Sequence, residues 1–180
     1  MGTWKTRGLR GSSLEDLLNL TNDIYRSSSI ALIQKIPTPI TPMEIDKKTR
    51  HITLAYFDQR STVDYIGAVQ GIPVCFDAKE CASDTFPLAN VHEHQIKFME
   101  EFRKQEGASF LIVNFTARDE IYLMTFEDLK RFWTRMKDGG RKSFTYEEMD
   151  KTYKIRKTRE VPIHYLEQLN LYLQKTGDVS

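Results

Sequence analysis

Cysteine is scarce in this chain of 180 residues: Cys75 and Cys81 are the only two. So low a count excludes a disulfide scaffold and suits a reducing compartment. Long apolar runs are missing too. None approaches the ~20 residues that a transmembrane helix needs, and MGTWKTRGLRGSS lacks the apolar stretch of a secretory leader. The opening Met-Gly is a cue for lipidation with nothing beside it to support a membrane anchor. No internal repeat and no low-complexity tract interrupts the chain. Nor is there an excess of either charge: the net value is +1, which excludes a globally basic nucleic-acid binder. These absences describe a cytoplasmic, globular protein.

What is present fits that class. With 40% hydrophobic and 28% charged residues, the chain is long enough to bury one proper core. Residues 1–12 read as a flexible basic segment, and 13–175 as one domain. The positive charge is unevenly spread. Lys5, Arg7 and Arg10 precede any acid; Lys130, Arg131, Arg135, Lys137, Arg141 and Lys142 form a second cluster; Lys151, Lys154, Arg156, Lys157 and Arg159 form a third. Such stripes can neutralise a phosphate backbone locally, although each could equally be a solvated face.

Ser12 followed by Glu15 predicts a capping box, and Leu14, Leu17, Leu18, Thr21, Ile24 and Tyr25 recur at helical spacing, so a helix is expected over 13–27. IALIQKI at 30–36 reads as a strand ended by Pro37-Thr38-Pro39. ITPMEIDKKTR shows no period, and HITLAYF at 51–57 alternates as a strand, which leaves 37–50 as a protruding turn or arm. STVDYIGAVQGIPVCFDAKE, residues 61–80, reads as strand, turn and strand, with Gly67 and Gly71 bracketing the bend. A helix follows over 88–106, ended by Gly107. SFLIVNF (109–115) and EIYLM (120–124) are strands, Thr125 starts a helix that Gly139-Gly140 ends, and Pro162 opens a last one. The order predicts a mixed α/β sheet with helices on both faces.

Three charges stand out in the 61–80 hairpin. Asp77 and Lys79, two apart on a strand, share a face, and Asp64 lies on the neighbouring strand. Two carboxylates can hold Mg²⁺, whose remaining positions go to waters and a substrate phosphate. A lysine beside them can orient or help deprotonate an attacking water, or offset charge in a phosphoryl transition state. The alternative is an edge residue at Asp64 and a surface ion pair at Asp77 and Lys79. Val74, Cys75, Phe76 and Ala78 argue for a central strand, where unpaired charge is seldom placed without a reason. His92 and His94, at i and i+2 of a helix, would diverge by about 200° and so could not share a zinc ion.

The order and spacing of RGSSLED (10–16), KIPTPI (35–40), AYFDQRSTVDYIG (55–67), FDAKE (76–80), FPLANVHEHQ (86–95) and FW…GRKS (132–143) resemble the RecU family of Holliday junction resolvases, also called penicillin-binding-protein-related factor A. The likeness runs from Arg10 to about Tyr172. It implies a restriction-endonuclease-like fold of the PD-(D/E)xK nucleases, acting as a homodimer on four-way junction DNA. It implies Thr62, Asp64, Asp77 and Gln95 around Mg²⁺, with Mn²⁺ able to substitute, and Lys79 as stabiliser of the transition state. It further implies a stalk over about 37–58 whose Lys47, Lys48 and Arg50 contact DNA, with Arg10, Arg141 and Lys142 as additional DNA contacts. A strand-exchange recombinase and a branch-migration helicase are partners of the family. The chain departs from the pattern at Asp77, where the family usually has Glu. The expected cost is a carboxylate one methylene further from the metal, slower cutting or a shift towards Mn²⁺, and in the extreme a junction-binding scaffold with weak catalysis.

Overall fold

The computed structural model describes residues 13–57 and 62–177. The chain order is α1 (Leu14–Ser27), β1 (Ala31–Lys35), β2 (Ile40–Ile45), β3 (Ile52–Phe57), β4 (Tyr65–Val69), β5 (Ile72–Cys81), β6 (Thr85–Pro87), α2 (Glu93–Lys104), β7 (Ala108–Phe115), β8 (Glu120–Thr125), α3 (Phe126–Lys137), β9 (Ser143–Thr145), β10 (Lys154–Ile155) and α4 (Leu166–Thr176). Six strands form one sheet in the order β1-β4-β5-β7-β8-β10. β5 and β7 are parallel, joined through α2 as a parallel pair requires, and the other neighbours run antiparallel.

Strand parity builds the two cores. Val74, Phe76 and Ala78 of β5 face α1 and α4, and pack with Leu14, Leu18, Tyr25, Leu169 and Tyr172. Cys75 and Cys81 face the other way, among Ile96 and Met99 of α2 and Leu129, Phe132 and Trp133 of α3. The mixed sheet with helices on both faces is therefore as expected, and β7 is the near-continuous buried strand that SFLIVNF suggested.

Several boundaries differ from expectation, each for a local reason. The cap of α1 is Ser13, whose hydroxyl accepts from Asp16 N while the Asp16 carboxylate accepts from Ser13 N; the expected Ser12–Glu15 box is one residue early, and Ser12 lies outside the described residues. ITPMEI, given no period, is strand β2, paired antiparallel with β3 in a separate two-stranded sheet and shifted in register around Pro42 to Ile45. Both strands of this hairpin are almost wholly exposed, so burial imposes no alternation on them. The bend between β4 and β5 is made by Gln70 (φ 48°) and Gly71 (φ 89°), a two-residue turn of the kind that suits a twisted hairpin. Gly67 is not part of it. It sits mid-strand, where a Cβ would lie 2.0 Å from the Leu32 carbonyl oxygen.

The helix expected from 88 begins only at Glu93; Leu88–Asn90 is a 3-10 turn and His92 is the cap. The last helix begins at Leu166 rather than at Pro162. Residues 162–165 cross α1 without helical structure, holding Ile163 and Tyr165 wholly buried, and Ile163 N donates to Thr21 Oγ1 at 3.1 Å. No helix among the described residues is long and apolar enough to cross a membrane.

Candidate active site

Asp77 lies in the middle of β5, between β4 and β7, and is fully buried at 0% exposure. The register Tyr65↔Phe76 brings Asp64, just ahead of β4, opposite it. Each carboxylate reaches across to the facing segment's backbone: Asp64 N donates to Asp77 Oδ1 at 3.2 Å, and Ala78 N donates to Asp64 Oδ2 at 3.0 Å. The side chain of Lys79 is 22% exposed, and its Nζ stands 2.6 Å from Asp77 Oδ2. This is not a surface ion pair, since one partner is out of water altogether.

Gln95 enters from the first turn of α2. Its Nε2 donates to Asp77 Oδ1 at 2.9 Å, and its Oε1 accepts from His92 N at 2.9 Å. One side chain thus closes the start of the helix and fixes the orientation of the buried carboxylate. Asp77 Oδ1 is thereby doubly bonded. Oδ2 is buried and accepts no well-directed hydrogen bond among the described residues, although the Lys79 ammonium is close enough to pair with it. Burial, with the Asp64 carboxyl next in importance, pushes the Asp77 carboxyl up from 3.8 to about 7, against the pull of the Lys79 charge.

An under-bonded, buried carboxylate oxygen beside a second carboxylate is what a hard divalent cation needs. Thr62, half-buried two residues before Asp64, and Gln95 of α2, through the second lone pair of its amide oxygen, are neutral oxygen donors nearby. Among the described residues no three His, Cys, Asp or Glu side chains converge on a point, which leaves two carboxylates and neutral oxygens as the candidate donors. The residues fit a hard divalent cation.

His92 and His94 do not diverge as a helical i, i+2 pair. Because His92 is the non-helical cap, the two rings stack in parallel, centroids 5.4 Å apart, at the mouth of α2.

The other named residues lie elsewhere. Lys47, Lys48 and Arg50 are exposed in the loop that joins β2 to β3. Asp46 closes that loop, its N donating to His51 O at 2.9 Å and its Oδ1 accepting from Lys48 N at 2.8 Å. Arg141 is ion-paired with Glu148, which also holds Arg135 at 2.7 Å; Lys142 beside it is exposed. Arg10 lies outside the described residues. The second and third basic clusters are largely matched by acids, as in Lys130–Glu100, Arg131–Asp128, Lys137–Glu93, Lys154–Glu120 and Arg156–Glu167. They form no continuous positive stripe.

Spacing did not disclose the backbone amides of Asp64, Ala78 and His92 as parts of the site. The signal available was the distance from His92 to Gln95, that of a cap residue and the third helical position.

The sequence pattern of the Recombination protein U (RecU) family matches residues 9–171. A protein of Oceanobacillus iheyensis named Holliday junction resolvase RecU is 41% identical over 165 residues, spanning 89% of this chain and 82% of that one. A Leuconostoc citreum protein of the same name is 40% identical over 174 residues, 94% of this chain and 84% of that one. Among solved structures, Hjc from Archaeoglobus fulgidus, a Holliday junction resolvase, overlaps 76% of this chain and 88% of its own with a TM-score of 0.41 at 9% identity. With a family match over most of its length and relatives near 40% identity, the chain belongs to the Recombination protein U (RecU) family.

Proposed function

We propose that this protein is a divalent-metal-dependent endonuclease that resolves four-way DNA junctions by paired nicks in symmetric strands. The observation that carries this is the buried Asp77, locked by Asp64 N and Gln95, with one oxygen left to Lys79. Asp64, Asp77, Thr62 and Gln95 would hold Mg²⁺, or Mn²⁺ in its place. Such an ion supplies charge neutralisation on the phosphoryl oxygens.

The chain's own groups do the rest. Lys79 shares the face of Asp77 and is still partly open, so its ammonium can turn from the carboxylate towards charge that develops on phosphorus. Water attacks phosphorus in line and gives up a proton to solvent, the bond from phosphorus to the 3′-oxygen breaks, and that oxygen takes up a proton from solvent. The products are 5′-phosphate and 3′-hydroxyl ends.

The β2–β3 hairpin serves as the stalk. Its exposed Lys47, Lys48 and Arg50 suit phosphate contact at the junction centre, and Arg10, Arg141 and Lys142 are further contacts. The hairpin also exposes Ile40, Met43, Ile45, Ile52, Leu54, Tyr56 and Phe57, with Met43 at 64% and Phe57 at 75%. So much apolar surface on one element supports a homodimer in which two hairpins cover each other. Two protomers then supply two sites for two symmetric cuts. A strand-exchange recombinase and a branch-migration helicase are the partners that fit such an activity.

The test is cleavage of a synthetic four-way junction in Mg²⁺ against linear duplex of the same sequence. Paired symmetric nicks in the junction alone are expected. Asp77→Asn should remove cutting and leave junction binding. Equal cutting of duplex would refute junction selectivity. Tight, salt-sensitive binding without turnover in either Mg²⁺ or Mn²⁺ would mark a scaffold instead.

A further inference from the structure

Lys79 has a counterpart further along its own row of the sheet. The pairings Lys79↔Val113, Val113↔Tyr122 and Tyr122↔Lys154 set four residues side by side across β5, β7, β8 and β10. Directly paired residues share a face, so Lys154 projects on the same side as Lys79. Three strand spacings separate their backbones, about 14 Å. That is the rise of about four base pairs of duplex DNA.

A groove of about 550 Å³ opens beside Lys154, lined also by Lys151, Arg156 and Lys157, with Asp119 and Glu120 as its acids. It lies at the end of the sheet where β5 and β7 finish and β8 begins, the end at which Asp64 precedes β4. Three of the four cations have acid partners. Lys154 Nζ is 2.5 Å from Glu120 Oε1, Arg156 is 2.8 Å from Glu167 of α4, and Lys157 pairs with Asp119. Exposed pairs of this kind are worth little, so a phosphate can displace the carboxylate. Asp119 is the acid most easily moved, its side chain being 89% exposed. Glu120 is the one held fast, since its Oε2 also accepts from the Tyr122 and Tyr146 hydroxyls at 2.6 and 2.8 Å.

Lys151 differs from the other three. Among the described residues it has no carboxylate partner; its ammonium sits 3.1 Å from the centre of the Tyr146 ring and donates to the Tyr146 carbonyl. An aromatic face attracts a cation without cancelling its charge. The Arg118 guanidinium lies over the same ring, 3.9 Å from its centre, but is paired with Asp84 at 2.6 Å. The groove thus holds one fixed ammonium that no acid neutralises, with lysines on exchangeable partners beside it.

Resting on the nuclease function above, we propose that this groove is a second phosphate site. It takes the backbone of a duplex arm within about four base pairs of the cut, with Lys151 as the chief contact and Lys154 and Lys157 beside it. The register with Lys79 assigns it to a DNA backbone rather than to a free anion. None of these side chains touches a reacting atom; they hold the arm while Lys79 meets the scissile phosphate.

The experiment measures junction affinity without divalent metal, at several salt concentrations, for Lys151→Gln, Lys151→Arg, Asp119→Asn and Lys130→Gln. Lys130 of α3 lines no part of the groove and serves as the control. Lys151→Gln is expected to weaken binding about three- to tenfold and to reduce the salt slope by about 1, and Lys151→Arg should restore both. Asp119→Asn keeps a residue suited to the left-handed φ of 54° and frees Lys157. It should tighten binding about two- to threefold, a gain that a merely structural role could not give. Lys130→Gln should stay within about twofold of the parent. Ethylation of single phosphates then locates the contact. In the parent, a cluster within about four base pairs of the nick should block binding when ethylated, and in Lys151→Gln that cluster should become indifferent. An unchanged interference pattern, equal losses for Lys151→Gln and Lys130→Gln, or Asp119→Asn binding no tighter than the parent would overturn the proposal. If the parent bound junctions but cut none, the nuclease function would fall, while the loss of one phosphate cluster from the pattern would still decide on the groove.

Discussion

Asp77→Asn should make the metal-free protein more stable, even as it removes cutting. The Asp77 carboxyl binds its proton more tightly in the folded chain, with a pKa of about 7, than at its ordinary 3.8. Protonated, it is an ordinary buried polar group; ionised, it is a buried charge whose main compensation is Lys79. Its contribution is therefore most favourable below about pH 4 and is lost as pH rises towards 7. Each tenfold in proton affinity is worth about 1.4 kcal/mol, so the full penalty is on the order of 4 kcal/mol. Asn keeps an oxygen for Asp64 N and Gln95 Nε2 but turns an NH₂ towards the Lys79 ammonium. Lys79, being partly exposed, can turn away at modest cost. A net gain of about 2 to 4 kcal/mol at pH 8 is expected, equivalent to roughly 5–15 °C in Tm for a chain of this size. Thermal melts in EDTA from pH 4 to pH 8 measure it. The difference between variant and parent should be near zero at pH 4 and reach a plateau above pH 7. A variant no more stable than its parent at pH 8, or a difference independent of pH, would refute the reasoning.

Gln95→Ala should lower kcat by ten- to a hundredfold, because it frees Asp77 Oδ1 and leaves His92 N without its acceptor; a kcat within twofold of the parent would show that the amide does not hold the carboxylate. Replacing Lys47, Lys48 and Arg50 by Ala should weaken junction binding and reduce the salt slope by as much as about 3, read by titrations at several salt concentrations. Gly67→Ala, by driving a methyl into the Leu32 carbonyl, should cost at least about 3 kcal/mol in denaturant melts. Leu54→Asp should convert a dimer to monomer in sedimentation while leaving the far-ultraviolet circular dichroism of the domain intact.

Strand β5 was legible because burial writes parity into sequence. Val74, Phe76 and Ala78 alternate with Cys75, Asp77 and Lys79, and apolar neighbours on both faces marked the strand as central. Gln95 was reached only through family resemblance, since a glutamine on a helix has no spacing that reveals a partner on a distant strand. The β2 strand was illegible for the opposite reason to β5: an element exposed on both faces has no core to impose a period, and Pro42 disturbs its ladder. The ends of α1 and α4 slipped because local rules were satisfied twice. Ser12–Glu15 and Ser13–Asp16 both fit a cap, and Pro162 offers a good helix start that loses to the burial of Ile163 and Tyr165. The basic clusters left a DNA-binding stripe and a solvated face both open, and the fold sets an acid beside most members of the second and third.

The hairpin occupies an instructive place in the chain. β1 and β4 are antiparallel neighbours, Lys35 lies opposite Tyr65, and Ile36 N donates to Asp64 O at 2.8 Å. A short turn could join them, and the β2–β3 hairpin stands where that turn would be. Its length and tip can therefore be altered without rethreading the sheet, since the strand that supplies Asp64 is already anchored at its root. The reach of the hairpin and the placement of the two aspartates are separate variables in this architecture, open to change one at a time.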